Sequence, residues 1–293
     1  MHLDFVVPGF SKCGTTTLCA LLADHPQIFI PHEKELGYFA QWYERGFEWY
    51  SDFFRNATPD MICGEGSTPY SSNQYAETAC DRILERFPET RFIFIARDPI
   101  RRLESSYREM HHSGHKYNVC AEYDIGSALT KMPNMIADTH YWKLINVFRN
   151  RVPDHRILGI FLEDLHQDPR RELQRSFEFL GVDASVGVDN VKRQLNPASA
   201  KKYDSRLMRY IRTHRWASSR WYRVPIKYRE RLERWLRLCR PFKHAIPWDA
   251  ATLANVERQI GDEMRAFLRF FNKPADFWPP ITGRGATNIK AAA

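Results

Sequence analysis

The sequence predicts an α/β protein: a P-loop-like, three-layer fold in which a central parallel β-sheet is flanked by helices, with a helical C-terminal part. Three observations carry this. Short, β-branched apolar runs alternate with amphipathic helical stretches, the order expected of parallel strands joined by helical crossovers. The first run, LDFVVPG (3–9), passes through a glycine-bracketed loop straight into a helix. Beyond about residue 190 strand patterns vanish, and the chain reads as helical, basic and rich in Trp and Tyr.

The elements follow in order. LDFVVPG is a buried strand, FSKCG its loop, and TTTLCALLADHP a helix ended near Pro26. IFIP (28–31) is a second short strand or extended segment leading into HEKELGYF. RGFEWYSDFF is an aromatic helix or turn, and MICGEGSTPY a strand running into a Gly-rich loop. YAETACDRILERFPE is an amphipathic helix broken at Pro88. RFIFIARDP holds the strongest strand pattern and ends in a charged turn that opens the helix IRRLESSYREMHH. DTHYWKLINVFRNRVP is a helix, RILGIFLEDL a strand, and PRRELQRSFEFLGV a helix stopped by Gly181. AATLANVERQIGDEMRAFLRFF is the last helix. With no internal repeat and no linker composition, one domain over residues 3–278 is expected, and 279–293 is expected to be a flexible tail.

A hydrophobic fraction of 43% with 14% aromatic residues supports a substantial core. No run approaches the roughly 18 apolar residues of a membrane span. The first strand pattern begins almost at once, without the apolar region of a signal peptide. The expectation is a cytoplasmic protein, with action at the inner face of the membrane as a variant of it. The six cysteines form no CxxC pair and no Cys/His cluster of zinc spacing, so free thiols and no metal are expected. A net charge of +8 suits an anionic cofactor, an anionic substrate or a membrane surface, and equally a merely basic protein.

The loop PGFSKCGTTTLCALL (8–22) places Gly9 and Gly14 at the spacing of a nucleotide-binding loop. Its lysine is displaced: Thr15 follows Gly14, and Lys12 stands two residues before that glycine. A strand-to-helix loop offers unpaired N–H groups and the positive end of the helix dipole, which suits an anion. Gly14 permits close approach, Thr15, Thr16 and Thr17 add hydroxyl donors, and Lys12 adds a charge. The ordinary alternative is a strand–turn–helix connection with threonine caps. A second candidate is FIFIARDPIRRLESSYREM (92–110). Arg97 and Asp98 end a strand, where α/β sheets bind ligands. Arg97 has the planar fork that clamps phosphate, and Ser105 or Ser106 could face the same anion from the helix. Alone, that pattern is equally a structural Arg–Asp turn with serines on a solvated helix face.

Taken together, GFSKCGTTTLCALLADHP and FIARDPIRRLESSY resemble the sulfotransferases that use 3′-phosphoadenosine 5′-phosphosulfate (PAPS), in the heparan sulfate sulfotransferase-like, bacterial type. HEKELGYF is similar to that family's KExxFF-like segment and GEGSTPY to its next loop. RILGIFLEDLHQDPRRELQRSFEFLGV, NPASAKKYDSRLMRYI and KPADFW resemble later family segments, so the likeness covers most of residues 3–278. The resemblance implies transfer of a sulfuryl group from PAPS to an acceptor hydroxyl or amine, without metal or ATP. It implies that Lys12 meets the leaving phosphate and that Cys13, Gly14, Thr15, Thr16 and Thr17 hold the 5′-phosphate. Arg97 and Ser105 would hold the 3′-phosphate, and Lys201 and Lys202 would close over it. Glu35 matches the family's catalytic glutamate, with Glu33 and His32 as neighbouring competitors for the role of base. The implied acceptor is a glycan or glycolipid.

The sequence also departs from the pattern. Ser67 stands where several members carry lysine, Gly37 where a histidine follows the base, and Cys13 at a position often small or hydroxylated. In-line transfer needs no nucleophile from Cys13. The basic aromatic region 215–244 has three readings: a face packing its Trp and Tyr on the core, a wall of the acceptor cleft, or a contact with anionic membrane. Two other functions stay open: a P-loop-type kinase, disfavoured by the missing lysine after Gly14, and a non-enzymatic nucleotide- or nucleic-acid-binding module. No nucleic-acid motif supports the last, and no nucleic-acid partner is expected.

Overall fold

The structure is a computed structural model describing residues 1–114, 121–187, 202–242, 245–282 and 284. Among these, the strands are β1 (Phe5–Gly9), β2 (Ile28–Phe29), β3 (Ile62–Glu65), β4 (Arg91–Ala96), β5 (Ile157–Phe161), β6 (Lys202–Asp204) and β7 (Cys239–Pro241). The first helices are α1 (Thr15–Ala23), α2 (Phe47–Asp52), α3 (Ala76–Arg86), α4 (Pro99–Ser113), α5 (Ile125–Lys131) and α6 (Asn134–Ala137). There follow α7 (Tyr141–Arg149), α8 (Leu162–Gln167), α9 (Pro169–Leu180), α10 (Arg206–Thr213), α11 (Arg215–Arg223), α12 (Ile226–Trp235) and α13 (Ala250–Phe270). The chain divides into two compact units, one of residues 1–99, 136–195 and 259–279, the other of residues 100–135, 196–258 and 280–293.

The first unit holds a five-stranded parallel sheet in the order β2–β3–β1–β4–β5. Phe5 lies opposite Gly64 on one side and Arg91 on the other, and Phe92 to Ala96 run opposite Ile157 to Phe161. β1 is buried throughout and β4 from Phe92 onward. Strands covered on both faces need apolar side chains at every position, which is why these two read as unbroken runs. A side chain at Gly64 would run into the Phe5 ring, so the residue opposite that ring must be glycine.

This strand order has a functional consequence. From β1 the chain moves left to β2 through α1, while from β4 it moves right to β5. The crevice beyond the carboxyl ends of β1 and β4 is therefore the topological switch point of the sheet, where open α/β sheets bind their ligands. The Gly9–Gly14 loop leaves β1 there and Arg97–Asp98 leave β4 there. Phe10 roofs the sheet just below: its ring stacks on Tyr141 at 4.4 Å and meets the edge of Phe267 at 5.9 Å.

Several sequence expectations need correction. RILGIFLEDL is not all strand: β5 ends at Phe161 and Leu162 opens α8 with no loop between. Strands do not vanish after residue 190. In the second unit β6 and β7 form an antiparallel pair, with Tyr203 opposite Arg240. Each is three residues long, too short to show alternation. Nor do Trp216, Trp235, Tyr222 and Tyr228 of the basic region pack on a core, although Trp221 is half-buried and Phe242 packs on Tyr203 at 5.2 Å. Trp216 is 65% and Trp235 78% exposed, and Tyr222 and Tyr228 are exposed as well. α10 and α11 bury Met208 and Ala217, half-bury Ile211 and Trp221, and expose Leu207, Tyr210, Trp216 and Tyr222. Lys243 and His244 lie outside the described residues. Cys13, Cys19, Cys63, Cys80 and Cys239 are free thiols, as expected. No described helix is long and apolar enough to cross a membrane.

Candidate active site

The loop after β1 is built around two left-handed residues. Gly14 has φ 98° and a Cβ there would lie 2.7 Å from Leu162 Cδ1, so both backbone and space demand glycine. Lys12 has φ 67°, a conformation costly for a residue with a side chain. Gly14 caps α1 without a side-chain hydrogen bond, and the first turn is three threonines with no acidic residue. Thr15 is buried, while Thr16 and Thr17 are half-buried. The amide end of α1 thus keeps its positive field uncompensated by the helix's own side chains.

The second predicted motif meets the first. Phe10 N–H donates to Ile95 O at 2.7 Å, tying the loop to β4. Arg97 Nη1 donates to Lys12 O at 3.4 Å. Tyr141, at the start of α7, joins them: its hydroxyl donates to Arg97 O at 3.1 Å and lies 3.3 Å from Cys13 Sγ. Cys13 is fully buried in this contact, which accords with a structural thiol rather than a nucleophile. Asp98 N–H donates to Glu163 Oε1 at 2.8 Å, fixing the β4 turn against α8. Arg97 Nε and Glu163 Oε2 are buried atoms without a hydrogen-bond partner among the described residues. Burying such groups unpaired is costly, and an anion beside Arg97 would satisfy its donor. His166 has its pKa lowered by burial and then by the charge of Arg97, a further sign of positive potential at these strand ends.

Glu35 also adopts a left-handed backbone, φ 66°. Its N–H donates to Gly66 O at 3.1 Å, and its Oε1 accepts from Thr68 Oγ1 at 3.1 Å and from Lys34 Nζ at 3.0 Å. Beneath it lies a buried carboxylate that the sequence reading missed. Glu65, at the end of β3, accepts from Tyr50 Oη and Tyr70 Oη at 2.9 Å each and from Ser67 Oγ at 2.7 Å. Ser67 Oγ in turn accepts from Gly37 N–H at 3.0 Å, and Tyr70 Oη from Phe39 N–H at 3.2 Å. Ser67, which replaces the lysine of the resembling family, is therefore a buried strut that positions the 35–39 segment. Burial raises the pKa of Glu65, and the hydroxyl donors oppose that shift. Glu65→Ala strands three buried hydroxyl donors at ~1 kcal/mol or more each, so unfolding stability is expected to fall by about 3–5 kcal/mol. Urea denaturation measures this, and an unchanged midpoint would remove the strut.

The remaining candidates separate. Thr16 and Lys34 line one cavity of about 720 Å³, shared with His32 and Glu33, the two competitors for the role of base. Cys19 of α1 and Lys34 both crowd Gly66, the residue after Glu65, which puts this segment beside that helix. Ser105 is half-buried and Ser106 buried on α4, in the second unit. Lys202 is exposed at the start of β6, and Lys201 lies outside the described residues. Tyr141 gave no signal in one dimension beyond its residue type, whereas Glu65 and Glu163 stand at the ends of predicted strands, where a ligand-site reading could have looked for them.

A family model described as "Sulfotransferase domain" matches residues 3–219. The membrane-associated sulfotransferase kil1 of Dictyostelium discoideum is 34% identical over 107 residues, 36% of this chain and 22% of that protein. Human bifunctional heparan sulfate N-deacetylase/N-sulfotransferase 3 is 29% identical over 198 residues, 61% of this chain and 22% of that protein. The chain thus spans about a fifth of the length of these two relatives. The crystal structure of a sulfotransferase from Alicyclobacillus acidocaldarius superposes with a TM-score of 0.58 at 20% identity, covering 67% of this chain and 87% of that one. That likeness establishes the fold. The family match spans most of the chain and contains the β1 loop, the Glu35 segment and the β4 turn, and so this chain is a member of the sulfotransferase domain family.

Proposed function

We propose that the protein transfers a sulfuryl group from PAPS to an acceptor hydroxyl on a glycan or glycolipid. The observation that carries this is the meeting of the two anion motifs at the switch point, with Arg97 bonded to the Lys12 carbonyl and keeping a buried, unpartnered Nε. The residues fit a ligand with two separate phosphate groups. The uncapped start of α1 with Cys13, Gly14, Thr15, Thr16 and Thr17 suits the 5′-phosphate. Arg97 suits the 3′-phosphate, with Ser105, Lys201 and Lys202 as its further partners.

PAPS supplies the sulfuryl group and a bisphosphate leaving group. In the proposed reaction the acceptor oxygen forms a bond to sulfur, and the bond from sulfur to the bridging phosphate oxygen breaks. Glu35 takes the acceptor proton, and Lys12 balances charge on the departing phosphate. The names of relatives support a sugar acceptor: heparan sulfate glucosamine 3-O-sulfotransferase 3B1 of Homo sapiens is 25% identical over 189 residues, 60% of this chain and 45% of that protein. A cytoplasmic setting remains part of this reading.

A thermal-shift comparison tests the donor. Adenosine 3′,5′-bisphosphate near a hundred times its dissociation constant should stabilise the protein by about 2.7 kcal/mol, a rise of roughly 4–8 °C in Tm. ATP with Mg²⁺ and a short oligonucleotide should do much less. A shift with ATP–Mg²⁺ and none with the bisphosphate would instead favour a kinase. A shift with the oligonucleotide alone would favour a nucleic-acid-binding module.

A further inference from the structure

The basic aromatic segment has no part in the proposed transfer reaction, and the second unit shows what it presents. Residues 206–237 hold eleven Lys and Arg against two Glu, a balance of +9. The whole chain carries +8, so the other 261 residues are close to neutral. The chain's excess positive charge is confined to α10, α11, α12 and the turns beside them.

The same stretch exposes apolar bulk. Trp216 and Trp235 are 65% and 78% exposed, Ile226 62%, and Leu207 and Leu236 about half. These side chains would ordinarily be covered. Arginines lie over several of the rings: Arg220 sits 4.4 Å from the Trp216 ring centre and Arg229 5.1 Å from that of Tyr222. Arginine stems can run along apolar surface and keep the guanidinium at a polar boundary. Exposed Trp, Ile and Leu interleaved with arginine is the composition of helices that lie in the interface of a bilayer.

We infer that α10, α11 and α12 dock the protein on an anionic phospholipid bilayer. Charge complementarity selects this occupant. A second copy would set +9 against +9 across a symmetric contact, which is repulsive. A sulfated or nucleic-acid polyanion would satisfy the arginines but would leave Ile226, Leu207, Leu236 and Trp235 without an apolar partner. A bilayer with acidic headgroups meets both demands, headgroup phosphates for the arginines and acyl chains for the apolar side chains. The inference is independent of the acceptor and of the transfer reaction, because it concerns a surface remote in sequence from Lys12, Glu35 and Arg97.

Co-sedimentation of the full chain with phosphatidylcholine vesicles, with and without roughly one third phosphatidylglycerol, tests it. Partitioning should be at least about tenfold stronger on the acidic vesicles and weaken at high salt. Tryptophan emission should shift to the blue on binding. The double variant Trp216→Ser/Trp235→Ser should lose about tenfold or more of the partitioning, and its Tm in the absence of lipid should stay at the parent value, since both rings are exposed. Equal partitioning on neutral vesicles, or a double variant that partitions like the parent, overturns the inference. So does heparin binding without vesicle binding, which would assign the surface to a polyanion. A concentration-dependent dimer abolished by the double variant would assign it to a second copy.

Discussion

Lys12→Ala is expected to lower the rate of sulfuryl transfer by about 10²–10³-fold, the range typical of removing one charge-stabilising group from a transition state. Bisphosphate affinity should fall far less, because the α1 amides and Arg97 are untouched. The backbone argues that this lysine is there for chemistry. At φ 67° any residue with a Cβ is strained, and glycine would be more comfortable. Lys12→Gly should therefore leave stability unchanged or raise it by roughly 0.5–1 kcal/mol while losing the same activity. A structural lysine would behave in the opposite way, since losing it would lower stability. Single-turnover transfer of labelled sulfate from PAPS, read beside a urea melt, separates the two. Transfer within a factor of two or three of the parent in both variants would take Lys12 out of the reaction.

The position of that lysine was legible in the sequence because it depends on local geometry. A loop between a buried strand and a helix has few conformations, and Gly9, Gly14 and three threonines constrain them further. β1, β4 and α9 were legible for similar reasons. Doubly covered strands must be continuously apolar, and a glycine in the left-handed region stops a helix, as Gly181 does at φ 76°. What the sequence hid is what depends on distant partners. Arg97 and Lys12 are 85 residues apart, and Tyr141 joins both motifs from an element with no signature of its own. The Glu65 network joins Tyr50 of α2 to Ser67 and Tyr70 of the turn just after β3, and a buried carboxylate looks like a surface one in a string of letters. Three readings of the basic region stood open because amphipathic periodicity reports that a helix has an apolar face, not what that face meets. Ser67 stands where several members of the resembling family carry lysine; its hydroxyl links Glu65 to the Gly37 amide, and the cation beside Glu35 is Lys34.

Glu35→Gln is expected to slow transfer by about 10²–10⁴-fold, the usual contribution of a positioned general base, while leaving bisphosphate binding within about a factor of two. The geometry favours Glu35 over its neighbours. Its backbone is held in the left-handed region by the Gly66 carbonyl, and its side chain is fixed by Thr68 and Lys34. Among the described residues both side-chain bonds fall on Oε1, which leaves Oε2 to accept a proton. Its side chain is 48% exposed, so an acceptor can reach it. Glu33 and His32 line the neighbouring cavity, and no comparable clamp orients them among the described residues. Glutamine keeps the shape and can keep the Thr68 bond, but it cannot take a proton. The Lys34 pair is lost, at a cost of about 0–1 kcal/mol for an exposed ion pair, so Tm should hardly move. Transfer that survives in Glu35→Gln but collapses in Glu33→Gln or His32→Gln would move the base to the cavity wall. Loss of bisphosphate binding together with transfer would make Glu35 a support of the donor site rather than the base.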